Sequence, residues 1–441
     1  MKVSLLEDLW LSAKGIFLSQ RFLSQTQRWS QEQIEQFQVV KCRELLRSAA
    51  SNVPYYKKLF HDLGFDPDRD FRSMADLQRI PTMTKARARG LGSELLNAME
   101  AAKAMELRSS GSTGEPFVIQ VSKNHWVMEQ AIVWRHWSWM GYRFRDRMAI
   151  VRSYVPEAGE PLWKLDPIRN FLYMSAYHLT PENAAAYLEK LREWQPKYLR
   201  GYPSSLYILA KMAEAQGITA PRVKGILTAS ESLLPVYRET IERVFGASVF
   251  DWYGQSEETI TMNECEAHQG LHINLEYGYC ELLADPSLPE NERRIVATCL
   301  HNLAMPLIRY ETGDVAVLAE DGALCGCGRT LPLVKAIKGR SDDFIRTPDG
   351  RIIPSVNFYT LFYELPNIIA FQLVQREVGC LEVYIKSQDF GEALLRELRT
   401  KLQDRLGEAI NIQIHLNEAF VQTGEGKKRV VVSMLGGADA V

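Results

Sequence analysis

A stretch rich in serine and glycine has the composition of a loop that binds polyphosphate. It consists of Ser109, Ser110, Gly111, Ser112, Thr113 and Gly114. The glycines let the backbone approach an anion closely, while backbone N–H groups and hydroxyls donate hydrogen bonds. The Gly-Lys-Ser/Thr ending of a Walker loop is missing, and a predicted strand follows instead of a helix. Taken alone, the stretch is also compatible with an ordinary surface turn.

Four further segments carry residues that nucleotide chemistry uses. They are 253–257 (Tyr-Gly-Gln-Ser-Glu), 310–314 (Tyr-Glu-Thr-Gly-Asp), 339–343 (Gly-Arg-Ser-Asp-Asp) and 423–429 (Thr-Gly-Glu-Gly-Lys-Lys-Arg). The first combines an aromatic ring, a glycine and a carboxylate, and the second ends in an acid that can accept hydrogen bonds from ribose hydroxyls. Each has an alternative interpretation as a turn, a charged linker or a solvated basic loop. Their order and spacing along the chain favour a shared nucleotide site.

Three cysteines and a histidine offer the ligands of a structural zinc site. Cys265 and His272 have six residues between them, and Cys325 and Cys327 flank a glycine further along the chain. A Cys-x-Cys-Gly turn can present two thiolates to one ion, and four protein ligands leave no open position for water. The spacing departs from that of ordinary zinc fingers, and His268 competes for the fourth position. The alternative is a set of reduced thiols and an imidazole near the surface.

Together these segments resemble the adenylate-forming superfamily of acyl-CoA ligases, luciferases and peptide-synthetase adenylation domains. Within it, the chain is most similar to the short phenylacetate-CoA ligase family, including relatives in capsule biosynthesis. Segments 49–56 (Ala-Ala-Ser-Asn-Val-Pro-Tyr-Tyr) and 76–85, with Ile80-Pro81 and Lys85, also resemble that branch. The resemblance therefore extends over nearly the whole chain.

The resemblance implies how the nucleotide is bound. The serine-rich stretch would hold the β- and γ-phosphates of ATP, Tyr253 would stack near adenine, and Asp314 and Arg340 would hold the ribose. Further nucleotide-binding positions implied by the resemblance are Ser230, Glu231, Gly254 and Ser256.

The resemblance also implies catalytic roles. Glu257 would coordinate Mg²⁺, Lys427 would contact both the substrate carboxylate and the α-phosphate, and Arg340 would assist. These residue types suit a carboxylate attacking a phosphate, because a metal ion and a lysine offset the repulsion between two anions. Lys428 is adjacent to Lys427, and Glu258 is adjacent to Glu257. The choice of the catalytic lysine and the choice of the metal-binding glutamate therefore depend on the motif register.

Two other assignments concern domain movement and the acid. Asp342 would be the hinge about which a small domain swings between two half-reactions. The acyl pocket is assigned to Trp126, Tyr202, Pro203 and Gly254. Packing of an aromatic-rich helix in the core, and a strand-to-helix turn capped by serine, are the alternative interpretations of these positions.

The elements that position these residues follow from hydrophobic periodicity. Segment 31–60 is predicted to be helical, and β-rich runs at 117–121, 147–151 and 224–228 alternate with predicted helices such as 181–193 and 235–245. This alternation indicates an α/β fold with a largely parallel sheet. A further β-rich block is predicted at 277–318, and 394–406 is predicted as a helix between strands 381–385 and 410–415.

We therefore predict two domains. A large amino-terminal adenylate-forming domain of mixed, largely parallel sheets and helices covers residues 1–339, and its first hundred residues form a helical segment. A small, mobile α+β lid domain covers residues 340–441.

Composition and charge exclude several classes of protein. Of the 441 residues 46% are apolar and 24% charged, which excludes collagen-like, disordered and coiled-coil chains. The 52 basic and 54 acidic residues give a net charge of −2, without the basic excess typical of nucleic-acid binding. The odd number of cysteines, and Glu7 and Asp8 within the apolar amino-terminal stretch, favour the cytoplasm over secretion. No apolar run reaches the roughly 18 residues of a membrane span, so no membrane partner is predicted.

The resemblance implies an ATP-dependent acid–thiol ligase. It would activate a carboxylic acid, aromatic and phenylacetate- or benzoate-like, as acyl-AMP and transfer it to CoA with release of AMP and pyrophosphate. One alternative passes the acyl group to a carrier protein or an amine, as in capsule or secondary-metabolite biosynthesis. Another is a nucleotide-binding protein without turnover, although the presence of Glu257, Asp314 and Lys427 weighs against it. The acid, the acceptor and the oligomeric state, including a homodimer, stay open.

Overall fold

The computed structural model describes residues 5–108, 117–157, 159–320, 324–338, 344–354, 358, 361–362, 365, 368–387, 389–421 and 431–435. Backbone contacts divide the chain into two compact units. Unit 1 comprises Met1–Ser109, Val118–Arg143 and Phe250–Gly339, and unit 2 comprises Ser110–Phe117, Phe144–Val249 and Arg340–Val441.

The α-helices are concentrated in the first half of the chain. Their bounds are Leu5–Leu18 (α1), Ser24–Thr26 (α2), Gln31–Asn52 (α3), Pro54–Leu63 (α4), Lys85–Leu91 (α5), Ala98–Ala101 (α6), Lys123–Trp139 (α7), Pro181–Trp194 (α8), Pro203–Ala215 (α9), Pro235–Phe245 (α10) and Glu392–Leu406 (α11). A π-helical turn at Ser19–Leu23 joins α1 to α2. Short 3₁₀ helices lie at Met74–Arg79, Gly92–Leu95 and Ala176–His178.

The strands occur mostly after residue 104. Their bounds are Met105–Arg108 (β1), Val118–Val121 (β2), Met148–Arg152 (β3), Trp163–Asp166 (β4), Phe171–Ser175 (β5), Tyr198–Gly201 (β6), Gly225–Ala229 (β7), Val249–Gly254 (β8), Thr261–Glu264 (β9), Leu271–Ile273 (β10), Gly278–Leu283 (β11), Glu292–Cys299 (β12), Tyr310–Leu318 (β13), Leu333–Lys338 (β14), Phe344–Arg346 (β15), Ile352–Pro354 (β16), Ile368–Gln375 (β17), Cys380–Ser387 (β18), Asn411–Leu416 (β19) and Val431–Ser433 (β20).

The predicted helical segment 31–60 is formed by α3 and α4. Helix α3 begins with a capping box, in which the Ser30 hydroxyl accepts the Gln33 N–H and the Gln33 side chain accepts the Ser30 N–H. Pro54 is the first residue of α4, a position where its missing N–H costs nothing. The helix ends at Gly64, which takes the left-handed conformation that glycine adopts most readily.

Unit 1 contains an antiparallel sheet flanked by helices. Its strand order is β11-β12-β13-β14-β10-β9-β8, of which residues 250–254 of β8 belong to this unit. Helix α1 packs on α7, where a Cβ at Gly15 would lie 2.6 Å from Gln130 Cβ, so glycine allows the close approach. The core of the sheet is formed by Ile260, Met262, Leu271, Ile273, Ile295, Ala297, Ala316 and Val334.

The part of unit 2 before residue 250 is an α/β layer structure. Strands β7, β6, β3 and β5 are parallel in that order, and β4 pairs antiparallel with β5 at the edge. The alternation predicted from the sequence is confirmed, since α8, α9 and α10 occur between or after these strands. The core includes Leu172, Leu188, Leu199, Leu206, Ile226 and Ile241.

The carboxy-terminal part of unit 2 is α+β, as predicted. Its sheet has the order β19-β18-β17-β20, and α11 lies between β18 and β19 in the chain. The buried Arg351 guanidinium donates to the carbonyl oxygens of Tyr177, Arg405 and Leu406 at 3.2, 2.7 and 2.6 Å. The carboxy-terminal part of unit 2 therefore contacts the 3₁₀ helix Ala176–His178 in the part of the unit before residue 250. The domain boundary at residue 340 stays a prediction.

The α/β fold class with mixed sheets is confirmed. Parallel pairs occur in unit 2, whereas the sheet of unit 1 is antiparallel. Within the described ranges, no helix is both long and apolar enough to span a bilayer.

Candidate active site and candidate metal centre

Part of the predicted site lies outside the described residues. These positions are Ser109, Ser110, Gly111, Ser112, Thr113, Gly114, Arg340, Asp342, Lys427 and Lys428. Their assignments to the phosphates, the ribose, the hinge and catalysis stay predictions. The remaining predicted positions are distributed between unit 1 and unit 2.

The Glu257 carboxylate makes two polar contacts inside unit 1. Its Oε1 accepts a hydrogen bond from Tyr310 Oη at 3.0 Å and lies 2.9 Å from Lys85 Nζ. Glu257 is 6% exposed and Tyr310 is fully buried. Because water is largely excluded, the ion pair interacts more strongly than a surface pair would. The direction of this carboxylate is therefore fixed before any ligand arrives.

Backbone pairing brings Lys85 to Glu257. Met83 N–H donates to the Arg309 carbonyl and Glu311 N–H donates to the Met83 carbonyl, both at 2.9 Å. This parallel bridge attaches the segment before α5 to the start of β13. Lys85 is the first residue of α5, so its position follows from the bridge.

Tyr253 and Asp314, which are predicted to contact adenine and ribose, contact each other. Tyr253 Oη donates to Asp314 Oδ2 at 2.9 Å. Desolvation, followed by the charge of Asp314, raises the pKa of Tyr253 well above its ordinary value, so the phenol stays protonated. Asp314 also borders a cavity of about 180 Å³ that Asp285, Arg294 and Gly313 help to line. The structure thus brings the two predicted nucleoside-binding side chains together.

Strand β8 ends at the predicted position Gly254, and the turn after it carries the predicted positions Ser256 and Glu257. A Cβ at Gly254 would lie 2.7 Å from Trp252 Nε1, so glycine avoids a clash here. The next acidic residue, Glu258, has a φ of 51° in the left-handed region. The two adjacent carboxylates of the turn contact different partners.

In unit 2 the predicted nucleotide positions Ser230 and Glu231 contact the region of the predicted acyl-pocket positions Tyr202 and Pro203. Arg152 Nη2 donates to Ser230 Oγ at 2.7 Å, and its guanidinium carbon lies 4.6 Å from the Tyr202 ring centre. Glu231 Oε2 accepts the N–H of the second residue of α9 at 3.1 Å, where the helix dipole favours a carboxylate. These residues follow the carboxyl ends of β3, β6 and β7, where open α/β sheets bind ligands.

The remaining predicted acyl-pocket position, Trp126, lies near the start of α7 in unit 1 and is half-buried. Further along α7, His136, Trp137 and Trp139 are buried. The Trp134 and Trp137 rings lie 5.2 Å apart. The aromatic residues in the second half of α7 therefore pack in the core, as the alternative interpretation of this helix expected.

The four predicted metal ligands converge in unit 1. The ligand atoms of Cys265, His272, Cys325 and Cys327 lie within 4.8 Å of one another. Cys265 Sγ lies 3.5 Å from Cys325 Sγ, and Cys327 Sγ lies 3.4 Å from His272 Nε2. The convergence predicted from the sequence is confirmed, and three sulfurs with one imidazole nitrogen fit a closed tetrahedral zinc site.

The surroundings favour His272 over His268 as the fourth ligand. His272 Nδ1 lies 2.8 Å from the Leu331 carbonyl, so it donates there and leaves Nε2 facing the sulfurs. An outer hydrogen bond of this kind orients metal-binding histidines. His268 Nδ1 instead lies 3.4 Å from Glu264 Oε1. Two backbone N–H groups also donate to cluster sulfurs, each at 3.4 Å.

Comparison with known proteins identifies distant relatives of the chain. Residues 345–434 match the family model of the CapK C-terminal domain. Protein CapK of Staphylococcus aureus is 24% identical, with 97% of this chain and 96% of that protein covered. The phenylacetate-coenzyme A ligase of Thermus thermophilus is 27% identical, with 86% of each covered. Over most of its length the chain is thus a distant homologue of phenylacetate-CoA ligases and CapK, which are adenylate-forming proteins.

A solved structure of an acyl-CoA ligase has a similar fold. The structure of 2-hydroxyisobutyryl-CoA ligase with 2-HIB-AMP and CoA, in the thioesterification state, superposes with a TM-score of 0.60. The two proteins are 19% identical over 92% of this chain and 90% of that chain. At this identity the likeness shows the fold alone. The curated relatives to which the chain is similar include AMP-forming acid–CoA ligases.

Two contacts of the described residues were not predicted from the sequence. Lys85 was known only as part of a segment that resembles the family, and no role was attached to it. His125, which contacts Glu258, carried no signal at all. Both join segments far apart in the chain, and local spacing does not reveal such pairs.

Proposed function

We propose that this protein uses ATP to activate a carboxylic acid as an acyl-AMP and transfers the acyl group to CoA, releasing AMP and pyrophosphate. The observation that supports this most directly is the buried Glu257 carboxylate, held by Tyr310 Oη and Lys85 Nζ. It occupies the position at which the family's motif carries an acid. The contact between Tyr253 and Asp314 adds a hydrogen-bonding group for a nucleoside in the same unit.

Glu257 fits the role of a magnesium ligand. Mg²⁺ in nucleotide enzymes is usually held by one or two carboxylates together with the phosphates of the substrate. Glu257 offers one carboxylate, and an ammonium group 2.9 Å from its Oε1 indicates that a cation is stabilised there. Bound Mg²⁺ would offset phosphate charge during the transfer. Tyr310 would keep Oε1 in place throughout.

The nucleoside would be held by Asp314 and Tyr253. Asp314 would accept hydrogen bonds from the ribose hydroxyls, and the protonated Tyr253 hydroxyl would fix the orientation of that carboxylate. In unit 2, Ser230 and Glu231 would provide further nucleotide contacts, with Ser230 Oγ oriented by Arg152. The serine-rich stretch at 109–114 would bind the phosphates.

Lys427 would act on the charge that develops at the reacting atoms. A carboxylate oxygen attacks the α-phosphorus while the bond to pyrophosphate breaks, and both reactants are anions. An ammonium group that contacts both lowers the repulsion in the transition state. Arg340, Asp342 and the lid domain at 340–441 would then allow the second half-reaction, in which the CoA thiolate attacks the acyl-AMP and AMP leaves.

The acid is proposed to be aromatic, and the predicted positions of its pocket are Tyr202, Pro203, Gly254 and Trp126. In unit 2 the Arg152 guanidinium lies over the Tyr202 ring, which places a cation beside a flat apolar surface. Binding of an aryl carboxylate suits such a combination. A panel of aryl and alkyl acids, compared by AMP release, tests this part of the proposal.

A second candidate differs in the acceptor. Transfer to a carrier protein or an amine is the candidate that the resemblance to relatives in capsule biosynthesis suggests, and residues 345–434 match the CapK C-terminal domain. AMP release measured with and without CoA separates the two candidates. Release that depends on CoA supports the ligase, whereas adenylate formation without any stimulation by CoA supports another acceptor.

Exchange of labelled pyrophosphate into ATP tests adenylation itself. Exchange that requires a carboxylic acid supports the proposal, and its absence with every acid supports a nucleotide-binding protein without turnover. Lys427→Ala should lower the exchange rate by about 100-fold or more and leave ATP binding nearly unchanged, because the lysine acts in the transition state. Lys428→Ala is the matched control, and a larger loss in that variant would mean that the register is wrong.

A further inference from the structure

A buried cluster lies directly behind the turn that carries Glu257. His125 is fully buried, and its Nε2 lies 3.2 Å from Glu258 Oε2 and 3.0 Å from Tyr277 Oη. Its Nδ1 lies 3.5 Å from Cys299 Sγ. These are titratable groups in the interior of unit 1, and none of them belongs to the predicted nucleotide or metal sites.

Burying the ionisable pair of Glu258 and His125 costs desolvation free energy. An unpaired carboxylate in this position would carry a large desolvation cost, which an imidazolium partner offsets. Burial lowers the pKa of His125, but Cys299 and Glu258 raise it, and the pKa ends well above its ordinary value. Glu258 is also held at a φ of 51°, a conformation that costs energy for a residue with a Cβ. A strained backbone conformation of this kind persists only where contacts with the surrounding residues hold it in place.

The cluster joins two segments that the proposed function uses. His125 lies in the first turn of α7, which follows β2, the strand after the serine-rich stretch. The N-cap of that helix, Ser122, is anchored by its N–H to Asn302 Oδ1 at 3.1 Å. Glu258 immediately follows Glu257 in the turn after β8. His125 therefore connects a fixed helix to the residue beside the proposed magnesium ligand.

We propose that His125 and Glu258 form a buried clamp that positions the Glu257 carboxylate for the metal ion. The clamp holds Glu258 in the left-handed conformation with its side chain turned inward, so that Glu257 faces Tyr310 and Lys85. Both members are positioning residues, since they contact each other and are proposed to act through Glu257. This inference rests on the proposed role of Glu257 as the metal ligand.

Glu258→Gly provides the decisive variant. Glycine adopts a positive φ without strain, so this change keeps the turn and removes the contact with His125. If only the left-handed backbone at position 258 is needed to position Glu257, and not the contact with His125, the variant will behave like the wild type. The clamp predicts that affinity for Mn²⁺, measured by electron paramagnetic resonance with Mn²⁺ alone and with ATP, falls about tenfold. The kcat of pyrophosphate exchange falls about 100-fold, because the carboxylate is no longer held in direction.

Three further variants complete the design. His125→Gln should reproduce both losses, and the double variant should be no worse than either single one, because both changes break the same contact. Glu258→Gln keeps a polar side chain of the same length facing His125 Nε2 and should stay within about fivefold of the wild type. His268→Gln removes a histidine that pairs with another glutamate in unit 1 and should leave both measurements unchanged. Thermal melting checks that each variant is folded.

The outcomes separate the clamp from the proposed function. Wild-type Mn²⁺ affinity in both Glu258→Gly and His125→Gln overturns the clamp. If Glu258→Gly does not fold, His125→Gln and Glu258→Gln decide through the same two measurements. If the wild type exchanges no pyrophosphate with any acid, the proposed function fails, and the Mn²⁺ titrations still decide whether the clamp positions Glu257.

Discussion

At the Glu257 carboxylate, an ammonium group and a phenol already contact one oxygen atom. Lys85 Nζ lies 2.9 Å and Tyr310 Oη 3.0 Å from Oε1. A metal ion that binds this oxygen must share it with the lysine or displace it. The charge balance of the site therefore depends on a residue from the helical amino-terminal segment, as well as on the motif that contains Glu257.

Lys85→Ala tests this competition. Removing the ammonium group removes a charged hydrogen bond of about 1.5–3 kcal/mol, so Mn²⁺ affinity without nucleotide should rise by about tenfold or more. Lys85→Arg keeps the positive charge and should stay close to the wild type. Titration of Mn²⁺ followed by electron paramagnetic resonance measures both. Unchanged affinity in Lys85→Ala would mean that the lysine does not compete with a cation.

At this scale the sequence predicted residue types better than contacts. Tyr253 and Asp314 were each assigned to the nucleoside, but their direct hydrogen bond was not expected. Lys85 and His125 carried no assigned role, because their partners lie in segments that only folding brings near. A motif identifies a residue with its chemistry, whereas the packing around it depends on long-range contacts.

Among the elements of unit 1, α7 is tied to the sheet by a fully buried ion pair. Arg135 Nη1 lies 2.6 Å from Glu276 Oε1, and Nη2 donates to Oε2 at 3.2 Å. Thr26 Oγ1 in α2 donates to the same carboxylate at 2.5 Å. Burial raises the pKa of Glu276. The charge and hydrogen bond of Arg135, together with the hydrogen bond from Thr26, lower the pKa by more, so it ends below its ordinary value of 4.5. The charged carboxylate thus links two helices to the segment before β11.

Glu276→Gln should destabilise the protein and weaken its response to acid. Leaving Arg135 without a charged partner should cost about 3–5 kcal/mol of the free energy of unfolding at neutral pH. Because the folded pKa is below the unfolded value, the contribution of Glu276 is complete above pH 4.5 and is lost as the pH falls through the folded pKa. The variant should lose less stability than the wild type over that range.

Urea unfolding between pH 3 and pH 7 measures this difference. The control is Glu266→Gln, which removes an exposed partner of Arg329 and should change stability by less than about 1 kcal/mol. An equal loss of stability with acid in the wild type and in Glu276→Gln would contradict the assignment.

The metal cluster is formed by β10, which carries His272, and by the loops next to β9 and β14. Zinc should stabilise these elements. We propose one structural Zn²⁺ at Cys265, His272, Cys325 and Cys327, whose ligand atoms lie within 4.8 Å of one another. Purified protein should contain close to one zinc per chain by inductively coupled plasma mass spectrometry. Removing the ion with a chelator should lower the melting temperature, since its binding energy is available only to the folded state.

Cys325→Ser should abolish zinc binding, and Cys380→Ser, which lies outside the cluster, should not. Because all four positions belong to the protein, zinc loss should act through stability, and the remaining folded enzyme should keep its kcat. Full zinc content in Cys325→Ser would exclude this ligand set.

The secondary structure was predicted well where the pattern is local. Helices α8, α10 and α11 begin or end close to the predicted 181–193, 235–245 and 394–406, because proline at the start or an amphipathic pattern marks them. The break between α3 and α4 follows from Pro54. The pairing of β10 with β14 was not predicted, since antiparallel partners distant in the chain leave no local signal.

For the whole molecule, hydrophobic periodicity and family resemblance gave the fold class. The alternating segment 144–249 forms the parallel layers, whereas the long β-rich block after residue 277 contributes to the antiparallel sheet of unit 1. The sequence of a short strand does not show whether its neighbours run parallel or antiparallel to it. The parallel sheet of unit 2 and the antiparallel sheet of unit 1 could therefore not be distinguished from the sequence. The predicted lid domain at 340–441 contains its own core, including Leu373, Val383, Leu398 and Ile412.

Acid-dependent exchange of labelled pyrophosphate into ATP tests the central claim most directly. The account predicts exchange with at least one aryl carboxylic acid in the presence of Mg²⁺. It also predicts a loss of about 100-fold or more in Glu257→Gln, which removes the proposed metal ligand. Folded protein that shows no exchange with any aryl or alkyl acid, or a Glu257→Gln variant as active as the wild type, would contradict it.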